Sequence, residues 1–419
     1  MTVQFKVELD PIEVPDRPSH VPAELVRDIR WANGDIPVTF DEPYKETVAL
    51  FNKGVPPLMW TPNIVAGQPG VGAWVVSHYE DIARVYQDAE LFSTEGAAGF
   101  QFLVGETWPN IPLGVDPPDH MKYRAFLNPY FSPKAIDALE REIYKSANDL
   151  IDPLLERGHA DFAYEFARVY PVRVFMDLMG FPSSMFEQFL EWEHAIIHHH
   201  GDFENSTKAV RAILDYLRSF IAEQQQNPNG GLVGKIASGQ VGGRPVTDDE
   251  IIGTVFFLWL GGLDTVASSL GLMFRRLALN PEVQQTLRDN PDMVPEAIEE
   301  FLRVQPLVNS QRLVKRDFEL HGQTIKANDW IVCLNTAGNF DPAEFENPRE
   351  VKLDRQPNRH FTLAGGPHRC LGSHLARREL RIALNEWLRR VPSFRLADDD
   401  SRLVYPGLQA AKSVKITWK

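Results

Sequence analysis

A mainly α-helical fold with a minor β portion is what this sequence predicts, on three observations. Apolar residues recur at three- and four-residue spacing from Lys134 to about Gln226, as in Leu139, Ile143, Ala147, Leu150, Ile151 and Leu154, which is the period of a buried helix face. A second apolar segment starts at Thr247-Asp248-Asp249-Glu250, a hydroxyl cap followed by acids, and is stopped by Asn280-Pro281. Short β-like runs are confined to the region from Val314 to Cys333 and a few flanking pieces.

The elements follow in order. From Met1 to about Pro69 the chain is proline-rich and irregular, and a Gly-Pro-Gly hinge at Gly67 to Gly72 leads into a strand at Ala73-Trp74-Val75-Val76. Several amphipathic helices occupy the middle. His198-His199-His200 are adjacent and so share no helix face, which reads as a solvated turn rather than a metal site. Asn227 to Arg244 is a loop, and one long helix is expected from near Asp248 through Phe256, Leu260 and Leu270 to about Leu279. Proline introduces each of two shorter helices, around Glu282 to Arg288 and Met293 to Arg303. Phe318-Glu319-Leu320 and Trp330 to Cys333 are short strands, Leu371 to Val391 is a final helix, and Val414 to Trp418 is a strand-like tail.

The chain has 419 residues, 43% of them hydrophobic, with no internal repeat and no linker, so one domain over 1–419 is expected. Lys plus Arg number 43 against 57 Asp plus Glu, a net charge of −14 that repels phosphate backbones and anionic lipid. Neither nucleic acid nor a membrane is an expected partner. The two cysteines, Cys333 and Cys370, make no disulfide framework, and Met1 to Asp10 holds no secretory core, so the chain reads as cytoplasmic. Ile251 to Leu263, cut by Asp264, is shorter than the ~20 residues that span a bilayer and reads as a buried helix.

Three patterns carry chemistry. In Ala364 to Gly372 a cysteine, Cys370, follows a glycine-rich loop where a helix begins, so amide N–H groups and the helix dipole favour a thiolate; Cys333 sits in an apolar strand and is inert. Gly261-Gly262-Leu263-Asp264-Thr265 places an acid and a hydroxyl inside an apolar helix, where charge is expensive without a partner or a function. Glu300 and Arg303 are neighbours on one helix face.

Together these residues resemble the cytochrome P-450 superfamily of haem-thiolate monooxygenases over essentially the whole chain. The resemblance implies that fold, with the long central helix over a haem b whose iron is bound by Cys370. It implies that Thr265 is the hydroxyl meeting bound oxygen, that Asp264 is the acid relaying protons, and that Glu300 and Arg303 form a buried structural pair. His120, Arg124, Arg312 and His368 stand at the positions that neutralise the haem propionates. Leu363 replaces the aromatic residue usual seven positions before the cysteine, with Phe361 two residues earlier.

Gly242 to Thr247, the Gly-Gly-Leu-Asp-Thr stretch and Leu375-Ala376-Arg377-Arg378-Glu379 are most similar to the soluble bacterial branch that contains camphor hydroxylase. That likeness implies O2, a separate ferredoxin and its NAD(P)H-dependent reductase as partners, and a monomer. It places the substrate against the loop Gly96 to Pro112, Leu258, Gly261, Val308, Asn309 and Val404, with Trp108 where the camphor enzymes have a tyrosine. A small apolar substrate, terpenoid or norisoprenoid, fits those side chains. Lys122, Arg369, Arg377 and Arg378 are the expected ferredoxin-facing cations. The competing readings are a haem-binding sensor or carrier without turnover, and a cysteine hydrolase with His368 as base.

Overall fold

The computed structural model describes residues 10–29, 54–198, 201–397, 404–405, 410–411 and 413–418. Helices dominate, and a five-stranded sheet lies to one side in the order Leu58–Thr61, Ala73–Val76, Trp330–Cys333, Ser310–Val314, Phe92–Ser93. The strands expected at Ala73–Val76, Phe318–Leu320 and Trp330–Cys333 are present with those bounds, whereas Leu58–Thr61 lies in the stretch read as irregular. Its four residues are all buried, paired antiparallel to Ala73–Val76, so its signal is a continuous apolar run without alternation.

The central helix starts as its sequence dictates. Thr247 Oγ1 accepts from the Glu250 amide and the Glu250 carboxylate accepts from the Thr247 amide at 2.8 Å, a reciprocal cap. Tyr123 and Arg244 hold the same carboxylate. The expectation of one unbroken helix is corrected: Asp248–Leu263 ends at Asp264 and a second helix, Thr265–Leu279, resumes. The Thr265 hydroxyl donates to the Gly261 carbonyl at 3.0 Å, the back-bonding that bends helices.

The bilayer argument also needs correction. Residues 248–279 hold an 18-residue stretch apolar enough to cross a membrane, but 67% of that stretch is buried inside the fold. A helix covered by protein in this way is a core helix.

Two apolar cores flank it. One joins Pro133–Arg157, Thr265–Leu279 and Ser373–Arg390 around Phe162, Phe166, Phe274 and Trp387, with Phe162 stacked on Phe274 at 3.8 Å. The other joins Tyr170–Met179, Phe203–Gln226 and Asp248–Leu263 around Phe189 and Trp259. The break at Asp264 therefore falls where the two cores meet, which positions the site.

Candidate active site

The cysteine loop is shaped by one glycine. Gly366 has a φ of +62°, and a Cβ there would lie 2.0 Å from the Tyr86 carbonyl oxygen, so only glycine allows the loop to lie against the helix Tyr79–Gln87. The Cys370 amide donates to Leu363 O at 2.9 Å, and Arg124 clamps the loop through Arg369 O at 2.9 Å. The helix behind it begins at Ser373, just after the cysteine. Burial pushes the Cys370 thiol up, opposed by the Gly372 amide and by Arg124, Arg377 and Arg369. The loop's amide and cations thus favour the thiolate against its burial, and a bound metal would complete the deprotonation. Cys333 is fully buried, its thiol pushed up to about 12 by burial.

A cavity of about 310 Å³ opens in front of Cys370. Thr265, Gly261 and Leu258 of the broken helix border it, as do Val308 and Leu363. Phe361 instead stacks on Tyr79 at 4.4 Å, so Leu363 alone occupies the position of the usual aromatic. A Cβ on Gly261 would meet nothing within 4 Å, whereas one on Gly262 would lie 2.4 Å from Phe175. The first glycine thus leaves room over the site and the second lets the helices touch. A second cavity of about 260 Å³ shares Gly261, Thr265, Phe257 and Val308 with the first and extends toward Ile64 to Gly67 and Ala97 to Phe100.

The polar end of the first cavity is lined by His120, Arg124 and His368. The two imidazoles lie 4.1 Å apart with their planes tilted by 44°, and burial with the neighbouring cations pulls His120 down to about 4 and His368 to about 3. Both rings are neutral at pH 7. His120 Nε2 and His368 Nδ1 have no hydrogen-bond partner although buried, while His368 Nε2 lies 3.3 Å from Thr94 Oγ1. Two orphaned imidazole nitrogens beside a guanidinium fit the carboxylates of a haem. Arg312 borders the adjoining cavity, its guanidinium over the Tyr86 ring. His368 makes no hydrogen bond to Cys370 among the described residues, which removes the Cys–His pair a hydrolase needs.

The Glu300–Arg303 pair is fully buried, with fork contacts of 2.7 and 2.8 Å. Arg355 adds 3.0 and 3.1 Å contacts to the same carboxylate, a third member that only the fold reveals.

Two sequence expectations, Trp108 and His198, change, while that for Val404 falls outside what the structure describes. Trp108 borders neither cavity; its ring meets Phe256 and its indole N–H donates to Glu106 at 3.0 Å, which Arg218 holds in turn. The donor reserved for substrate is already used. Val404 lies in a two-residue strand paired with Ala410–Ala411, its side chain outside the described residues. His198 is no solvated turn: it caps the helix Phe186–Ile197, only 7% of its side chain is exposed, and Nε2 sits 3.3 Å from Asp264 Oδ2. His199 and His200 lie outside the described residues.

Asp264 Oδ2 also accepts from Ser268 Oγ at 2.9 Å, and the buried Glu193 stands beside the pair. Burial opposes protonation of His198, but Asp264 and Glu193 raise it to about 9. Glu193 itself is pushed well above the carboxylate range by burial and by Asp264.

Sequence reasoning also missed Glu379, Gln311 and Phe257. Glu379 is a buried carboxyl on the cavity wall, held far above its usual range by burial, and its signal is an acid on the apolar face that carries Leu375 and Leu380. Gln311 holds the Ala66 amide with Oε1 at 3.0 Å while its buried Nε2 has no partner.

Of the cations expected to face a ferredoxin, Lys122 pairs with Asp119, Arg377 with Glu299, and Arg378 with Asp137 and Glu140. The patch is smaller than its sequence count.

Residues 168–403 match the family model for cytochrome P450. The chain is 33% identical to the probable cytochrome P450 127A1 of Sinorhizobium fredii over 99% of its own length and 98% of that protein's. The chain belongs to the cytochrome P450 family. It is also 31% identical to the steroid C26-monooxygenase of Mycobacterium tuberculosis, over 79% of this chain and 90% of that one. Among solved structures, this P450 matches CYP101J2 with a TM-score of 0.81 and 29% identity, over 97% of this chain and 100% of the other. The fold is thus the P450 fold, and the activity is that of a monooxygenase. Members of the family bind haem b through a thiolate-ligated iron.

Proposed function

We propose that this P450 hydroxylates a compact, largely apolar molecule, a terpenoid or norisoprenoid, as a single-domain cytoplasmic monomer. Electrons come from a separate ferredoxin and its NAD(P)H-dependent reductase. The observation that carries the reading is that Cys370 and Thr265, far apart in sequence, border one cavity whose other walls are mostly apolar. Cys370 would hold the haem iron, and His120, Arg124, Arg312 and His368 would receive the propionates. When bound, the haem supplies the activation of O2 and the transfer of one oxygen atom to an unactivated C–H bond.

The chain's own groups do the rest. The Thr265 hydroxyl borders the cavity while donating to Gly261 O, so its oxygen is left to accept there, and Asp264, one residue back, would pass protons in from solvent. Leu258, Gly261, Phe257 and Val308 exclude water and bury hydrocarbon at ~25 cal/mol/Å². Gln311, rather than Trp108, offers the free donor to a carbonyl or hydroxyl oxygen of the substrate, and such a bond contributes ~0.5–1.5 kcal/mol. Asp264 and Thr265 favour turnover over a mere carrier, because binding alone needs no proton path.

The test has two stages. Cys370→Ala is expected to abolish the long-wavelength Soret band of the reduced carbon-monoxide complex while Cys333→Ala retains it; a band surviving in Cys370→Ala would overturn the ligand. A screen of terpenoids, norisoprenoids and steroids by the spectral change of water displacement then sets the substrate class. Response to steroids alone would overturn the terpenoid reading.

A further inference from the structure

Glu193, His198 and Asp264 form a cluster whose composition the monooxygenase reaction does not require. Each offers one ligand atom, and the three atoms lie within 4.8 Å of one another. Glu193 is on the helix Phe186–Ile197, His198 is its C-terminal cap, and Asp264 sits at the break between the two central helices. Glu193 is held by the body of a helix, and His198 and Asp264 by helix ends.

We propose that these residues bind a divalent transition-metal ion of the zinc type. Glu193 is buried and its Oε1 has no hydrogen-bond partner, so an acceptor stands in the interior beside another carboxylate with nothing to receive. Ionised, a buried carboxyl without a partner is costly, and a divalent cation shared with Asp264 is what would let Glu193 give up its proton. The His198 Nε2 to Asp264 Oδ2 separation of 3.3 Å is long for a charge-assisted hydrogen bond, which favours ~2.7–2.9 Å. It matches the edge of a tetrahedron with metal bonds of ~2.0–2.1 Å, about 3.3–3.4 Å.

The supporting shell is present. Ser268 Oγ fixes the Asp264 carboxylate at 2.9 Å, and the C-terminal carbonyls of Phe186–Ile197 place the negative end of a helix dipole toward the cluster. Arg168 is the opposing cation, and it is already engaged by Glu187 at 2.9 Å. Asp264 keeps 17% side-chain exposure, which leaves an entry path.

Occupancy would fix Asp264 to the metal and withdraw it from proton delivery. That consequence rests on the proton role proposed for Asp264; metal binding itself does not. The test uses the haem-loaded enzyme, dialysed to equilibrium against micromolar Zn²⁺, with bound metal measured by elemental analysis and the Soret band as the check on folding. Wild type is expected to hold one zinc more than Glu193→Gln or His198→Gln, with affinity in each variant at least tenfold weaker. Zinc should also slow wild-type turnover at least tenfold while the residual turnover of His198→Gln is insensitive to it. Equal zinc content in wild type and both variants would overturn the site and leave a proton-sharing acid–imidazole cluster. Selective binding without inhibition would sustain the site and remove the proton role of Asp264 instead.

Discussion

Replacing Gly366 with alanine should displace the cysteine loop and move Cys370 out of reach of a haem iron. The added Cβ would lie 2.0 Å from the Tyr86 carbonyl oxygen and 2.9 Å from its carbon, against an ordinary contact of 3.4 Å or more. One side must retreat by roughly 1.4 Å. Tyr86 is buried and bonded to Asn335 at 3.0 Å, so the loop is the side that yields. The φ of +62° adds ~1–2 kcal/mol for any residue with a Cβ, and overpacking adds ~1–3 kcal/mol, giving a loss of about 2–5 kcal/mol. Metal bonds tolerate only ~0.2 Å, far less than the movement required.

Gly322→Ala is the matched control, because its φ of +74° carries the same backbone cost while a Cβ there meets nothing within 4 Å. The reduced carbon-monoxide spectrum and urea unfolding of the two variants decide the matter. A Gly366→Ala protein with the full long-wavelength band and an unchanged unfolding midpoint would refute the steric argument.

Three further outcomes follow from the packing. Gly261→Ala should gain ~0.5–1 kcal/mol of helix stability yet weaken binding of bulky substrates, while Gly262→Ala, driven against Phe175, should lose stability; thermal unfolding and ligand titration separate them. Glu300→Gln leaves Arg303 and Arg355 buried without their carboxylate and should cost about 3–5 kcal/mol in urea unfolding; a loss under ~1 kcal/mol would show that the network relaxes. Stability should fall in acid: Arg244 first, then the Thr247 amide and Tyr123, hold Glu250 at about 2 against an ordinary 4.5. Because the folded value is the lower one, its contribution is complete above pH 4.5 and drains as pH falls toward 2, so Glu250→Gln should flatten the acid limb of the melting curve.

What the sequence made legible was local. The glycine loop before Cys370, the Thr247 cap and the Glu300–Arg303 spacing each lie within a few residues, and local spacing carries them. The features that escaped are pairings over distance. His198 meets Asp264 across 66 positions, and Arg355 reaches Glu300 across 55, so neither partner is visible from its own surroundings. Trp108 failed for a related reason: Glu106, two residues away, takes the indole proton because Arg218, 112 positions from Glu106, pins that carboxylate. Apolar residues that resume after Asp264 also hid the helix break, since hydropathy does not register a threonine bonding back to its own helix.

The clamp behind the cysteine bears on how the molecule is made. Arg378 grips Asp137 and Glu140, and Arg390 grips Asn148 and Asp152, so the helix that begins just after Cys370 is fastened to one more than 230 positions earlier. Closing so long a loop is an entropic expense incurred before any contact repays it, which makes the haem-free chain a slow folder. A cofactor that binds only the finished cavity then draws the population toward the native form by mass action. Haem supply therefore governs how much of this chain reaches maturity, and scarcity should appear as lost protein as well as lost colour.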